Sequence, residues 1–143
     1  MSSRTVRTSG AEETEALAAE LARDLRPGDV VLLRGEMGAG KTTFVRGAAR
    51  ALGATGPVTS PTFTIGRRYD DATPPVAHLD LHRLVSLQDE DPALLDDYVT
   101  PATVAFVEWP ELAADALDGV RYAVTLEHVT PTERDVTIRS VAP

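Results

Sequence analysis

Lys41 is the only lysine in a chain of 143 residues, and thirteen arginines carry the rest of the basic charge. It stands in GEMGAGKT, residues 35 to 42, which spells G-x-x-x-x-G-K-T, a phosphate-binding loop. That loop constrains the fold more than any other feature, because it works only between a buried strand and a helix. The flanks agree. Val30, Val31, Leu32 and Leu33 form the unbroken apolar run of a parallel strand covered on both faces. Phe44, Val45, Ala48, Ala49 and Leu52 recur at helical spacing before the stop at Gly53.

Residue type in the loop follows from anion chemistry. Gly35, Gly38 and Gly40 let the backbone close around phosphate oxygens, and Glu36, Met37 and Ala39 act through the backbone between them. The positive end of the next helix faces the same anion. A lysine suits position 41 because a compact ammonium on a flexible stem reaches the β- and γ-phosphates as a point charge, where a guanidinium is wider and flatter. Thr42 offers its hydroxyl to Mg²⁺. A plain glycine-rich helix cap would have no use for the lysine–threonine pair.

Hydrolysis needs an acid at the tip of a neighbouring strand. Glu108 ends the apolar run Val104 to Val107, and Asp80 follows Val76, Ala77 and Leu79 in a similar setting. Glu108 ranks first, because its strand is the more completely apolar. Ser60, Thr62 and Thr64 are candidate switch hydroxyls that would sense the γ-phosphate, with ordinary strand composition as the alternative. The sole tryptophan, Trp109, stands beside Glu108. With the single lysine already used, a guanine-reading Lys-x-Asp motif is impossible, so ATP is favoured over GTP.

The chain length fits one domain over residues 1 to 143. A capping box at Ser9 and Glu12 opens a helix with Leu17, Leu21 and Leu25 on one face, ending at Pro27-Gly28. Residues 62 to 65 favour β structure, 74 to 84 read as a strand leading into a loop, and 85 to 98 as an acidic, partly helical stretch. A buried strand spans 103 to 109 and stops at Pro110, and a short helix runs through Leu117. Val120 to Leu126 and Val136 to Ile138 alternate with polar residues across a TPTE turn, predicting an antiparallel hairpin. The expected architecture is therefore α/β: a P-loop NTPase-like three-layer sandwich with a largely parallel sheet and a C-terminal antiparallel hairpin.

Charge and composition narrow the role. Twenty-two acidic against 14 basic residues give a net charge of −8, which opposes direct binding to DNA or RNA. Without cysteine there is no thiolate nucleophile or cysteine-bound metal, and His78, His82 and His128 lack zinc-site spacing, leaving them ordinary core or surface roles. No stretch approaches a membrane span, so a cytoplasmic protein is expected.

GEMGAGKTTFVRG, SPTFT, HLDLHRL and VEWPE, in this order over about residues 9 to 140, resemble the TsaE family, formerly YjeE. The resemblance implies an ATP-binding, slowly ATP-hydrolysing, Mg²⁺-dependent subunit required for threonylcarbamoyl modification of the adenosine beside the tRNA anticodon. It would act with TsaB and TsaD rather than transfer the group itself, and would reach tRNA only through that complex. Carried over motif by motif, Gly38, Gly40, Lys41, Thr42 and Thr43 would surround the phosphates. Thr42 and Glu108 would hold Mg²⁺, with Asp80 behind the metal or in the switch. The helix opening near Ser9 and the hairpin turn near Arg134 would border the adenine. Glu36 stands where the family often has Asp, and His82 where it often has Tyr. The alternative is a small nucleotide or metabolite kinase, although no insertion is long enough to supply an arginine-bearing lid.

Overall fold

A computed structural model describes residues 2–36, 38–59, 65–81, 95–108 and 117–141. Its seven strands and two helices run β1 (Ser3–Ser9), α1 (Ala11–Ala22), β2 (Val30–Gly35), α2 (Lys41–Ala51), β3 (Gly66–Tyr69), β4 (Val76–Asp80), β5 (Val104–Glu108), β6 (Val120–His128) and β7 (Glu133–Ser140). One sheet takes them all in the order β1-β7-β6-β2-β5-β4-β3. The central four, β6, β2, β5 and β4, are parallel. Antiparallel pairs close both edges, β7 and β1 on one side and β3 on the other, so the antiparallel part extends beyond the expected hairpin.

Period-two alternation sorts the sheet into two cores. Val31, Leu33, Val76, Val104 and Phe106 pack on the face covered by α1 and α2. Val30, Ala77, Leu79, Ala105 and Val107 face the other way, against Leu95, Tyr98, Val99 and Leu117. Both faces of β2 and β5 are thus buried, the reason Val30–Leu33 and Val104–Val107 run apolar without a break. The TPTE hairpin forms as the alternation predicts: Val124, Leu126, Val136 and Ile138 are buried in the helix-side core.

The N-terminus departs from the sequence reading. Ser3–Ser9 is a strand that its largely polar, exposed sequence does not announce, and it exists by pairing with β7. Thr5 and Thr137 hydroxyls meet at 3.0 Å across that pair, and Arg7 donates to both Asp135 oxygens at 2.9 and 3.1 Å. These hydrogen bonds hold the Asp135 carboxyl below its ordinary pKa. Because Ser9 keeps its register opposite Glu133, it cannot cap α1, and the cap moves to Gly10 at φ +101°. Glu13, not Glu12, accepts the Ser9 amide at 3.0 Å, and the Gly10 amide goes to the Thr132 carbonyl at 2.8 Å. The helix ends at Ala22, before Pro27-Gly28, though Leu17, Leu21 and Leu25 are buried as their spacing requires.

On the other edge the strand is Gly66–Tyr69. The stretches 62–64, 82–94 and 109–116 lie outside the described residues, and with them Thr62 to Thr64, most of the acidic segment, the Pro110 stop and the helix before Leu117.

Helix α2 crosses α1 at Gly47, where an added methyl would fall against the backbone of Glu15. Alanine at this position gains about 1 kcal/mol of helix propensity, but backbone overlap costs about 1–3 kcal/mol, so sterics win. Gly47→Ala is expected to lower the urea midpoint; a midpoint at or above wild type would show that the helices part freely. For Arg7→Ala the sign follows from the depressed Asp135 pKa. The pairing contributes above the unfolded-state value and is lost as pH falls through the folded one, so thermal melts of variant and parent differ at neutral pH and converge in acid.

Candidate functional site

β2 lies between β5 and β6 in the parallel part of the sheet, and the C-terminal ends of such strands are where open α/β sheets receive ligands. The glycine-rich loop starts there. Gly35 approaches β6 so closely that a Cβ would stand 2.7 Å from the Leu126 carbonyl oxygen. Gly40 caps α2 from the left-handed region at φ +103° and ψ 18°, which a side chain would resist. Lys41 opens the helix, followed by Thr42 and Thr43, both half-buried at its first turn. Glu36 and Gly38 are exposed and Ala39 is buried; Met37 lies outside the described residues.

Lys41 is 7% exposed, a costly place for a cation without partners. Its Nζ donates to the Gly35 carbonyl at 2.5 Å and lies 3.9 Å from Glu108 Oε1. Glu108, 3% exposed, is paired in register with Leu33 of β2 on one side and Asp80 of β4 on the other. Asp80 is 7% exposed. Alternation places the two acids on the helix side of the sheet, since Val76 and Phe106, at even spacing from them, belong to that core. The sequence-derived trio of Lys41, Asp80 and Glu108 therefore converges at one end of the sheet.

His78 was read from sequence as an ordinary histidine. It is fully buried, and its Nε2 lies 2.5 Å from Glu108 Oε2. The signal was present in the HLD spacing, which sets His78 and Asp80 on one face of a strand; the pairing of β4 with β5 was needed to put Glu108 beside it.

A cavity of about 290 Å³ adjoins the loop, lined by Gly38, Gly40 and Thr43, by Gly10, Ala11 and Thr14 at the opening of α1, by Pro131 and Thr132 of the β6–β7 turn, and by Arg134 at the start of β7. Its volume is near the lower bound, about 300 Å³, of small-molecule sites. Arg134 ties the turn to the loop, donating to the Thr130 and Glu133 carbonyls at 3.0 Å and to the Gly38 carbonyl at 3.3 Å. Ser9 does not line this cavity; its neighbours Gly10, Ala11 and Thr14 do, and Thr14, Pro131 and Thr132 are lining residues the sequence reading missed. Larger clefts elsewhere, of about 390 and 340 Å³, contain no part of the glycine loop. Ser60, Thr62 and Thr64 lie outside the described residues, as do Trp109 and His82.

A family model described as threonylcarbamoyl adenosine biosynthesis protein TsaE matches residues 8–136. The chain belongs to the TsaE family. It is 41% identical over 136 residues to the tRNA threonylcarbamoyladenosine biosynthesis protein TsaE of Bacillus subtilis, covering 94% of this chain and 84% of that protein. Against the Streptomyces coelicolor TsaE it is 40% identical over 121 residues, covering 83% and 82%. Among solved structures it resembles the crystal structure of Bacillus subtilis YdiB, with a TM-score of 0.82 and 35% identity over 99% of this chain and 87% of that one. Membership of the TsaE family carries with it a place in threonylcarbamoyladenosine biosynthesis and a P-loop NTPase-like character. No described helix is long and apolar enough to cross a membrane.

Gly35→Ala tests the close approach on which the loop is built. With φ at +156° and a backbone oxygen 2.7 Å from the new Cβ, β2 and β6 must move apart. A loss of about 1–3 kcal/mol is expected in chemical denaturation. An unchanged unfolding midpoint would refute that account of the loop.

Proposed function

We propose that this TsaE-family chain binds ATP at residues 35 to 43, hydrolyses it slowly with Mg²⁺, and acts in the cytoplasm with TsaB and TsaD in forming threonylcarbamoyladenosine, reaching tRNA only through those partners. The observation that carries the reading is the buried meeting of Lys41 and Glu108 at 3.9 Å, where the glycine loop and the end of β5 adjoin. Burying a lysine and a strand-end acid together is costly, and phosphoryl chemistry uses both groups.

Each residue has a task in that chemistry. The loop amides and the N-terminus of α2 receive phosphate oxygens, and Gly35, Gly38 and Gly40 allow the approach. Lys41 exchanges its bond with the Gly35 carbonyl for the β- and γ-phosphates. Glu108 orients the water that attacks the γ-phosphorus as the bond to the bridging oxygen breaks, giving ADP and phosphate. The cavity between the α1 opening and the Arg134 turn accommodates the nucleoside, bordered by Ser9's neighbours rather than Ser9 itself.

The donors fit Mg²⁺. Thr42, Glu108 and Asp80 offer oxygen ligands, as a hard cation needs. Among the described residues no group of three or more His, Cys, Asp or Glu side chains could hold a metal ion, so substrate phosphates and water would complete the shell, the usual arrangement for this ion. When bound, the cation neutralises charge developing on the phosphates. Switch roles for Ser60, Thr62 and Thr64 belong to the same reading. The net charge of −8 also favours protein partners over direct tRNA contact.

Phosphate release and nucleotide affinity should be measured for the purified chain, alone and with TsaB and TsaD. Lys41→Ala is expected to abolish productive ATP binding, and Glu108→Ala to retain binding while losing about 100-fold or more in turnover. Adding the partner pair should change the rate. Unaltered affinity and turnover in Lys41→Ala would overturn the assignment of the site, and indifference to the pair would overturn the assigned partners. Appearance of a phosphorylated acceptor in place of free phosphate would make the protein a kinase.

A further inference from the structure

The mechanism above makes no use of the fully buried imidazole of His78. It lies on β4, two residues before Asp80 and diagonal to Glu108, since its register partner on β5 is Phe106. Diagonal neighbours on one face of a sheet are within reach of long side chains, and here the ring spans the gap to Glu108 Oε2. His78 Nδ1 is buried without a hydrogen-bond partner among the described residues. That asymmetry assigns the tautomer. A proton on Nε2 is used by the carboxylate, and the unpartnered atom is then a lone pair; a proton on Nδ1 would leave a buried donor with nothing to accept it, the rarer and costlier arrangement.

We propose that His78 is a positioning residue for Glu108: its Nε2–H fixes one carboxylate oxygen so that the other, Oε1, is presented toward Lys41 and the reacting phosphate. The inference rests on the ATPase reading for its catalytic consequence, but the bond itself does not depend on that reading. The physical need is clear from the side chain. A glutamate has three rotatable bonds, and register fixes only its Cα. The Lys41 contact at 3.9 Å is too long to hold the carboxylate by itself. His78 is held rigidly on β4, with every residue of that strand buried, and supplies the missing restraint. A displacement of about 1 Å in a reacting group costs on the order of 100-fold in rate, so a restraint of this kind affects turnover more than affinity.

The test uses the purified full chain as His78→Leu, which removes the donor, His78→Gln, which keeps an N–H donor, and each combined with Glu108→Gln. His78→Leu is expected to keep its KM within about threefold and lose about tenfold or more in kcat, with substantial recovery in His78→Gln. In the Glu108→Gln background the same substitution should change kcat little, because the oriented group is already gone. Without nucleotide, proton–nitrogen NMR should show a slowly exchanging His78 Nε2 proton whose resonance moves in Glu108→Gln. Native kcat in folded His78→Leu, failure of His78→Gln to recover, or losses that simply add to those of Glu108→Gln would each overturn the proposal. A His78 ring signal indifferent to Glu108→Gln would do so even if the leucine variant failed to fold. Absence of ATP turnover in the unsubstituted chain would instead overturn the ATPase reading, and the NMR result would then decide the His78–Glu108 bond separately.

Discussion

The interaction on which the site depends is the burial of the Lys41 ammonium at the end of the parallel sheet. A cation there must be met by acceptors, and the fold supplies a carbonyl from Gly35 and a carboxylate from Glu108. Both come from strand ends, Gly35 from β2 and Glu108 from β5, and Glu108 is in register with Leu33, two residues before Gly35. A slip of one position would turn Glu108 into the opposite core and leave Lys41 facing the apolar side chain of a neighbour. Strand register and site geometry are therefore the same constraint.

The surrounding architecture holds that constraint in place. β4 continues the parallel set and brings Asp80 and His78 to the same face as Glu108, while β6 closes against the loop on the other side. Helices α1 and α2 cover this face and cross at Gly47, which lets α2 lie close enough to keep Phe44 and Val45 fully buried. The antiparallel β1–β7–β6 edge has a different task. Its β6–β7 turn receives the Gly10 amide through Thr132, and Arg134 at the start of β7 donates to the Gly38 carbonyl, joining three separate chain segments around one cavity.

This arrangement also gives a physical sense to an acidic protein with a single lysine. The remaining cations are arginines, many engaged at the surface, such as Arg7 with Asp135 and Arg68 with Asp70. The only ammonium is reserved for the position where a phosphate-sized anion can approach a helix N-terminus. A family role in threonylcarbamoyladenosine biosynthesis is compatible with such a surface when partner proteins carry the nucleic-acid contacts.

The sequence by itself determined the elements whose stabilising interactions are local or periodic. The apolar run at 30–33, the helical spacing after the glycine–lysine loop and the alternating hairpin specify their structure within a few residues and are found as read, with the loop between β2 and α2. Asp80 and Glu108 were legible as strand-end acids because an apolar strand that stops at a charge points it toward the sheet's edge. What only the tertiary structure decided depends on pairing between distant segments. The polar strand Ser3–Ser9 exists because β7 offers it a ladder, and that pairing moved the helix cap from Ser9 to Gly10. His78 became a partner of Glu108 because β4 and β5 are neighbours, though 30 residues separate the two side chains along the chain. Thr14, Pro131 and Thr132 line the cavity for the same reason: strand order, not sequence proximity, gathers them.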